Sequence, residues 1–353
     1  MRLLILTQKI DINDDLLGVY HSWIEKLAQK VEKVNVICLF KGQFHLPPNV
    51  SVYSLGKEQG NSQLKYVKNF FYYIWKLRRD YDVVFVHMNK EYVLLAGLIW
   101  RLWGKKIVLW YAHYLIKWQV RAAAWLSHQV VTSASFACQI KSRKLSVVGQ
   151  GIDVNYFRNL NYRNKDNKIN LLFLGRISSV KDLGTLINAI SLVLKKNSNI
   201  YLNVVGSPGE KDEPYWQSIK NLVTQLSLDS FIRFWGKVSW HQTLEFYNQN
   251  DIFINLTRTG SFDKTTLEAM ACEKLVLVCN RAFENIFPED LKSQLIFLEK
   301  DSQDLADKIS GLLVRQQEEK EAIGRTLREI IVQNHSLERL VDKLIEVFKN
   351  NTQ

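Results

Sequence analysis

The 353-residue sequence has few cysteines, few prolines and no long apolar run. Its four cysteines lie among apolar neighbours without C-x-x-C spacing, which excludes a disulfide-stapled miniprotein and a zinc finger. Five prolines and 47% hydrophobic residues exclude collagen-like and disordered chains. The longest apolar stretch, residues 92–100, is much shorter than the roughly 20 residues that span a bilayer. We therefore expect a folded cytoplasmic protein with reduced, buried cysteines.

Acidic residues are scarce in the first half of the chain. Residues 1–168 hold 25 Lys and Arg against 11 Asp and Glu, a net charge of +14, whereas residues 169–353 hold 22 against 24, a net charge of −2. Seven of the ten tryptophans also lie in the first half. This asymmetry predicts two domains with different partners, the first of which meets an anionic surface or ligand. No recognised nucleic-acid-binding motif is present, so we do not expect nucleic acid to be that partner.

Short apolar segments alternate with helical patterns along the whole sequence, which is typical of parallel sheets covered on both faces. The predicted strands are 3–6, 34–40, 83–86, 107–110, 130–132, 145–148, 171–174, 201–205, 232–235, 252–255, 275–278 and 295–298. They indicate an α/β fold of two Rossmann-like, doubly wound domains that face each other across a cleft. The predicted first domain is 1–158, the linker 159–168 and the second domain 169–335. We expect a helix in 336–353 to cross back to the first domain.

A strand–turn–helix segment early in the second domain has the chemistry of a diphosphate site. The strand 171–174 runs into Gly175, and Arg176 and Lys181 flank the turn before an apolar helix. Glycine lets a backbone approach a ligand closely, and two cations beside a helix N-terminus suit a diphosphate. An ordinary turn with solvated charges is the alternative, and the spacing alone does not decide between them.

A second candidate lies in residues 255–271. A strand ends at Asn255, a polar loop follows, and a helix begins near residues 263–266. Free backbone N–H groups there, together with Lys264, predict an anion site. Glu268, one turn into the helix, is suited to accept two hydroxyl hydrogen bonds, each worth about 1.5–3 kcal/mol because the acceptor is charged. A first-turn glutamate favoured by the helix dipole is the alternative.

These motifs, taken in their order along the chain, resemble the retaining glycosyltransferases of the large family 4 group. The resembling segments are Val-Val-Gly-Gln-Gly-Ile-Asp-Val-Asn-Tyr-Phe at 147–157, Gly-Arg at 175–176 with Lys181, Val-Val-Gly at 204–206, Phe-Trp-Gly at 234–236 and Leu-Glu-Ala-Met-Ala-Cys-Glu-Lys at 267–274. The resemblance implies the GT-B fold and transfer of a sugar from a nucleotide-diphosphate sugar to a glycan or lipid-linked acceptor. It also implies that no metal or other cofactor takes part, and it suits cell-surface polysaccharide or glycolipid synthesis.

The resemblance assigns roles to individual residues of the second domain. Arg176 and Lys181 are implied to hold the donor diphosphate, and Glu268 to bind the ribose hydroxyls. The remaining implied donor-binding residues are Gly175, Gly206, Gly236, Lys237, Val238, Gly260, Ser261, Phe262, Asp263, Lys264, Thr265 and Thr266. The family's first glutamate would fall at Gly260, so we expect Asp263 or Lys264 to supply the missing contact to the donor sugar.

Two histidines of the first domain follow predicted strands. His113 comes after the strand 107–110, where the family keeps a histidine that faces the donor sugar, so the resemblance implies a catalytic role. His87 ends the strand 83–86 and is, with Gly18, a candidate for the acceptor side. Histidines at strand ends are also common structural hydrogen bonders, and for His87 that alternative stays open.

A helical pattern over residues 64–79 has two stripes. One, predicted to face the core, is Val67, Phe70, Ile74 and Leu77; the other is Lys65, Lys68, Tyr72, Lys76 and Arg79. A basic stripe with an aromatic suits an anionic membrane surface, so we expect peripheral attachment at the inner face of the cell membrane. A solvated helix face is the alternative. Trp100, Trp103, Lys105 and Lys106 form a second predicted patch.

Two other functions also fit the sequence. A nucleotide-sugar epimerase of the same fold would act on the donor without an acceptor. A non-catalytic partner subunit would have kept the fold while the donor loop changed, and Gly260 supports that interpretation. The presence of Arg176, Lys181, Glu268 and His113 favours the enzyme.

Overall fold

The computed structural model describes residues 1–14, 17–162, 168–197, 199–260 and 262–350. The chain divides into two compact units, residues 1–153 with 335–353 and residues 154–334. Half of the predicted linker 159–168 lies outside the described residues, because 163–167 are not among them. No helix in the described part of the chain is long and apolar enough to cross a membrane.

Each unit contains one parallel sheet with helices between its strands. The strands are β1 (Arg2–Ile10), β2 (Lys33–Lys41), β3 (Val50–Ser54), β4 (Val83–His87), β5 (Lys106–Trp110), β6 (Gln129–Thr132), β7 (Leu145–Val147), β8 (Ile169–Leu174), β9 (Ile200–Val205), β10 (Ile232–Gly236), β11 (Ile252–Asn255) and β12 (Leu275–Val278). The helices are α1 (Val19–Ala28), α2 (Gln63–Lys76), α3 (Lys90–Leu102), α4 (Trp118–Leu126), α5 (Leu183–Leu194), α6 (Glu213–Gln225), α7 (Thr243–Gln249), α8 (Lys264–Ala271), α9 (Glu289–Leu295), α10 (Ser302–Leu313), α11 (Gln317–Asn334) and α12 (Leu337–Lys349).

The first unit is a seven-stranded sheet of order β3-β2-β1-β4-β5-β6-β7. Every residue of β4 is buried, as expected for a central strand covered on both faces. The edge strand β3 is the one that the sequence pattern missed. Its half-exposed segment Val-Ser-Val-Tyr-Ser lacks the continuous apolar run of its neighbours.

The second unit is a five-stranded sheet of order β10-β9-β8-β11-β12. The predicted strand 295–298 is wrong. Leu295 ends α9, and Ile296 makes only an isolated bridge to Val278. The run is apolar because Leu295 and Phe297 are buried, so its hydrophobicity reports burial rather than a strand.

The last helix, α12, packs against α1 within the first unit. Ser336 caps it by accepting a hydrogen bond from the Arg339 N–H, which satisfies one of the helix's free donors. Its apolar stripe is buried, and ion pairs from Lys26 to Glu338 at 3.3 Å and from Lys30 to Asp342 at 3.4 Å border it. The C-terminal segment therefore completes the core of the first unit.

Helices α2, α3 and α4 share one hydrophobic core with the first sheet. Phe70 and Ile74 point into it as predicted, whereas Val67 is exposed, which corrects its assignment to the core stripe. Trp100 is fully buried, and its indole N–H donates to the Tyr81 hydroxyl at 3.1 Å. Trp100 therefore cannot belong to the second surface patch predicted for it.

Candidate functional site

Three glycines lie side by side at the carboxyl ends of adjacent strands in the second unit. Gly175 follows β8, Gly206 follows β9 and Gly236 ends β10. The Gly175 N–H donates to the Val205 carbonyl at 3.0 Å, and the Gly206 N–H donates to the Gly236 carbonyl at 2.8 Å. Ligands of doubly wound folds bind at this edge of the sheet, where side chains would otherwise block the backbone.

Gly206 cannot be replaced without strain. Its φ is +135°, and a Cβ would lie 2.0 Å from the Gly175 carbonyl oxygen. We expect Gly206→Ala to lower the free energy of unfolding by about 2–4 kcal/mol, as urea unfolding would measure. The matched control is Gly311→Ala in α10, where a Cβ meets nothing within 4 Å. That change should raise stability by about 0.5–1 kcal/mol, and equal stability of the two variants would contradict the packing described here.

Lys181 brings the two predicted segments of the second unit together. It lies in the short turn before α5, and its ammonium forms an ion pair with Asp263 at the start of α8. The same ammonium donates to the Thr257 hydroxyl oxygen at 2.6 Å. The Lys181 side chain also runs past Gly175, where an added Cβ would lie 3.9 Å from the Lys181 Cε. A cation is thereby fixed beside the first turn of α8 and close to the glycine turn.

Asp263 holds the other end of this ion pair. Its carboxylate also accepts a hydrogen bond from the Thr257 hydroxyl at 2.7 Å. Burial by itself raises the pKa of Asp263, but the Lys181 charge and the hydrogen bonds from Lys181 and Thr257 outweigh it and bring the pKa down to about 2. The Asp263 carboxyl group is therefore ionised at neutral pH.

Arg176 is placed differently from Lys181. Its guanidinium is 65% exposed and lies 3.9 Å from the Asp212 carboxylate, at the start of α6. An exposed arginine at that distance is weakly held and free to reach an anion nearby. Of the two predicted diphosphate ligands, only Lys181 is fixed by the surrounding side chains.

Glu268 is buried one turn into α8, with 4% of its surface exposed. The Tyr247 hydroxyl donates to Oε2 at 2.8 Å, and the Trp240 indole N–H donates to Oε1 at 3.4 Å. Burial raises the pKa of Glu268, against the opposing effect of the Tyr247 hydrogen bond and the Lys264 charge. Two carboxylate oxygens have about four acceptor positions, so Glu268 has capacity for further hydroxyl donors.

Lys264 stands one turn before Glu268 on α8. Burial lowers the pKa of its ammonium to about 8, against the opposing charge of Glu268. Its charge is consequently lost at a lower pH than that of an ordinary lysine. Thr266 is buried and accepts a hydrogen bond from the Asn255 amide at 2.8 Å, which ties the end of β11 to the first turn of α8.

The other predicted donor residues have separate environments. Phe262 is buried against Phe283, with 5.7 Å between ring centres. It packs as a core residue. Lys237 is exposed after β10, and Gly260 has a φ of +111°. Thr265 and Val238 are half-buried. Ser261 lies outside the described residues.

The aromatic residues around Glu268 were not predicted from the sequence. Tyr156 stacks on Trp240 with 4.8 Å between ring centres, and its hydroxyl donates to the His241 carbonyl at 2.7 Å. Trp240 and Tyr247 in turn hold Glu268. The available signal was the position of Trp240, four residues after Gly236, but isolated aromatics are more typical of a core.

The two histidines of the first unit have opposite environments. His113 is exposed, accepts a hydrogen bond from the Leu115 N–H at 3.0 Å and stacks on Tyr114. His87, the last residue of β4, is buried, with its ring centre 3.8 Å from that of Tyr20. Gly18 precedes α1 and donates to the Asp14 carbonyl at 3.1 Å. Of the two histidines, His113 is placed to reach a ligand, whereas His87 has the surroundings of a structural histidine.

Among the described residues, no three His, Cys, Asp or Glu side chains come together as a metal site would require. The four cysteines are free and buried.

A sequence-family model matches the part of the chain that contains this edge of the second sheet. Residues 158–330 match the model described as "Glycosyl transferases group 1". The alpha-monoglucosyldiacylglycerol synthase of Streptococcus pneumoniae is 26% identical over 191 residues, which cover 54% of this chain and 42% of that protein. The D-inositol 3-phosphate glycosyltransferase 2 of Catenulispora acidiphila is 24% identical over 48% of this chain and 42% of that protein. The chain spans less than half the length of these curated relatives.

Solved structures match the chain over nearly its whole length. The Anabaena protein HepE in complex with UDP has a TM-score of 0.78 at 16% identity, covering 98% of this chain and 99% of that one. Sucrose-phosphate synthase from Thermosynechococcus elongatus has a TM-score of 0.79 at 15% identity, covering 99% and 98%. At sequence identities of 15–16%, structural similarity shows a shared fold and nothing about function. The chain therefore has the predicted GT-B fold of two Rossmann-like halves, and its second half carries the sequence pattern of the group 1 glycosyltransferases.

Proposed function

We propose that this protein is a retaining glycosyltransferase that moves a sugar from a nucleotide-diphosphate sugar to a glycan or lipid-linked acceptor. The observation that carries the proposal is the arrangement of Lys181, Asp263 and Thr257 beside the Gly175 turn, with Glu268 one turn further along α8. A fixed cation, open backbone and a buried carboxylate match the diphosphate and the ribose of such a donor. The family match over this segment supports the same assignment.

The leaving diphosphate is the main charge that the site must stabilise. Lys181 and Arg176 supply cations, and the N-terminus of α8 supplies free backbone N–H groups from Thr265 and Thr266. Preorganised charges of this kind are the largest catalytic contribution in many enzymes, so the proposed transfer needs no metal ion. We name no covalent nucleophile. The acceptor attacks from the face that the diphosphate leaves, which retains the anomeric configuration.

Asp263 takes over part of the role of the glutamate that Gly260 replaces. Its carboxylate fixes Lys181, and the Thr257 hydroxyl holds both. We propose that Asp263 orients Lys181 in the free enzyme and turns toward the donor sugar once the diphosphate binds that ammonium.

A panel of UDP-, GDP- and ADP-sugars tests the proposal by thermal shift. One donor at 100 times its dissociation constant should stabilise the protein by about 2.7 kcal/mol, and incubation with an acceptor should give a product with the anomeric configuration of the donor by NMR. Donor conversion without an acceptor would instead identify an epimerase. The absence of stabilisation by any donor would favour the non-catalytic partner.

We further propose that α2 and the turn that follows it attach the protein to an anionic membrane surface. Lys65, Lys68, Tyr72, Lys76 and Arg79 are all exposed, together with the neighbouring Trp75. At about 1 kcal/mol per cation, neutralising the four charges should weaken binding to phosphatidylglycerol vesicles roughly 10²–10³-fold in co-sedimentation. Donor binding should be unchanged. The control neutralises four exposed lysines of the second unit, Lys195, Lys196, Lys211 and Lys300. Equal vesicle binding by both variants would overturn this attachment.

A further inference from the structure

Helices α3 and α4, which pack against each other and share the core with α2, also expose large apolar side chains. On α3 the exposed residues Leu95, Leu98 and Leu102 follow at steps of three and four, and Leu102 is 86% exposed. On α4, Trp118 and Trp125 are each 71% exposed. Large apolar side chains that continue from one helix to the next mark an interaction surface rather than ordinary exposed residues.

The outer face of α4 combines these tryptophans with a cation. Trp118, Arg121 and Trp125 stand at steps of three and four residues, so the helix places them on one side. Arg121 is exposed like its two neighbours. Tryptophan is enriched where protein meets the interface of a bilayer, because its ring is amphipathic.

A cavity of about 530 Å³ lies between α4 and the segment 139–144 that precedes β7. Its walls are both charged and apolar. The lining residues that matter here are Arg121, Trp125, Ile140, Lys141, Ser142 and Lys144. The volume is that of a small-molecule site, and the mixture of cations, a hydroxyl and apolar walls suits an amphiphilic anion.

The charge around the cavity is of one sign. Residues 92–152 contain no Asp or Glu. Their basic residues are Arg101, Lys105, Lys106, Lys117, Arg121, Lys141, Arg143 and Lys144. A segment with basic residues and no acidic ones attracts anions, and its positive charges repel one another.

Lys144 and Arg101 already have a structural role at the end of α4. The Lys144 ammonium donates to the Ser127 carbonyl at 2.9 Å, and the Arg101 guanidinium donates to the Leu126 carbonyl at 2.8 Å, so both satisfy carbonyls at the end of α4. Burial, with the nearby Arg101 charge, lowers the pKa of Lys144. Arg121 and Lys141 are exposed and line the cavity. They are the cations available to a ligand.

We propose that this cavity binds the phosphate head group of an anionic phospholipid. Arg121 and Lys141 contact the phosphate, and Ser142 lies within the same wall. Trp125 of the lining, and Trp118 on the same face of α4, lie at the level of the membrane interface. The cavity is formed by residues of the first unit and the donor residues belong to the second, so the proposal stands or fails independently of the glycosyl transfer. The α2 surface is attracted by the combined charge of many lipids, whereas this cavity binds one lipid molecule.

Short-chain lipids below their critical micelle concentration test the proposal by calorimetry. Dihexanoyl-phosphatidylglycerol should bind at one site, and dihexanoyl-phosphatidylcholine and inorganic phosphate should each bind at least tenfold more weakly. The double variant R121Q/K141Q should weaken the phosphatidylglycerol affinity at least tenfold. The control K195Q/K196Q removes the same charge from exposed positions of the second unit and should bind as the wild type does.

Each contrary result overturns the proposal in its own way. Unchanged phosphatidylglycerol binding by R121Q/K141Q would remove the cavity from the site. Phosphatidylcholine bound as tightly as phosphatidylglycerol would show that the charge is not recognised. Inorganic phosphate bound as tightly would identify a free-phosphate site instead. Because both replaced side chains are exposed, the melting temperature of the double variant should match that of the control.

Discussion

Lys181→Ala is expected to lower kcat about 10²–10³-fold, because it removes the fixed cation that faces the leaving diphosphate. Lys181 is the only one of the two predicted diphosphate ligands held in place by described side chains, those of Asp263 and Thr257. Arg176→Ala should have a smaller effect, since that guanidinium is largely exposed and loosely held. Steady-state kinetics with the donor found in the nucleotide-sugar panel would measure both.

The alanine change also leaves the Asp263 carboxylate without its main partner. An unpaired, half-buried charge destabilises a protein, so a loss of activity alone would be ambiguous. The double variant K181A/D263N removes both charges and should regain stability in urea without regaining turnover. Recovery of activity in the double variant would show that Lys181 only neutralises Asp263 and does not act on the donor.

Glu268→Gln is expected to abolish the preference for a ribose with free hydroxyls. Two hydrogen bonds to a buried carboxylate, each worth about 1.5–3 kcal/mol, predict that the wild type binds the ribonucleotide at least about 100-fold more tightly than its 2′,3′-dideoxy analogue. The variant should bind both nucleotides equally weakly. Calorimetric titration with the nucleoside diphosphate of the preferred donor and its dideoxy analogue measures the difference.

Tyr247→Phe is the matched control for this change. It removes the hydroxyl that donates to Glu268 at 2.8 Å but keeps the carboxylate, so the ribose preference should remain. If Glu268→Gln keeps the preference as well, the carboxylate is a structural partner of Tyr247 and Trp240 and not a ribose ligand.

The pH dependence of the ribose preference separates these two roles of Glu268 further. Burial raises the pKa of Glu268, so the ribose preference should fade on acidification at a higher pH than for an ordinary glutamate.

The sequence pattern predicted the strands whose residues are all buried and missed the strand whose residues are half-exposed. The fully buried β4 and β11 were predictable, because parallel central strands need apolar residues on both faces. The edge strand β3 was missed because it is half-exposed throughout. The run 295–298 misled for the opposite reason, since Leu295 and Phe297 are buried without extending the sheet.

Individual residues of the candidate site could be predicted from the sequence, but the contacts between them could not. Lys181 and Asp263 could each be singled out from their motifs, but their pairing across 82 positions depends on how β8 and β11 lie together in the sheet. Trp240 and Tyr247 carry no motif, and their role depends on the buried position of Glu268, which sequence does not reveal. The exposure of Trp118 and Trp125 likewise follows only from the packing of α4.

The return of α12 to the first unit has a consequence for synthesis of the chain. Because residues 335–353 belong with residues 1–153, all of the second unit emerges from the ribosome before the first can close its core. Trp23 and Gly151 contact each other and lie against Leu340 of α12. Until α12 is in place, part of their apolar surface is exposed to solvent. A fragment that stops at residue 334 should leave that apolar seam open and aggregate, even though every strand of both sheets is present.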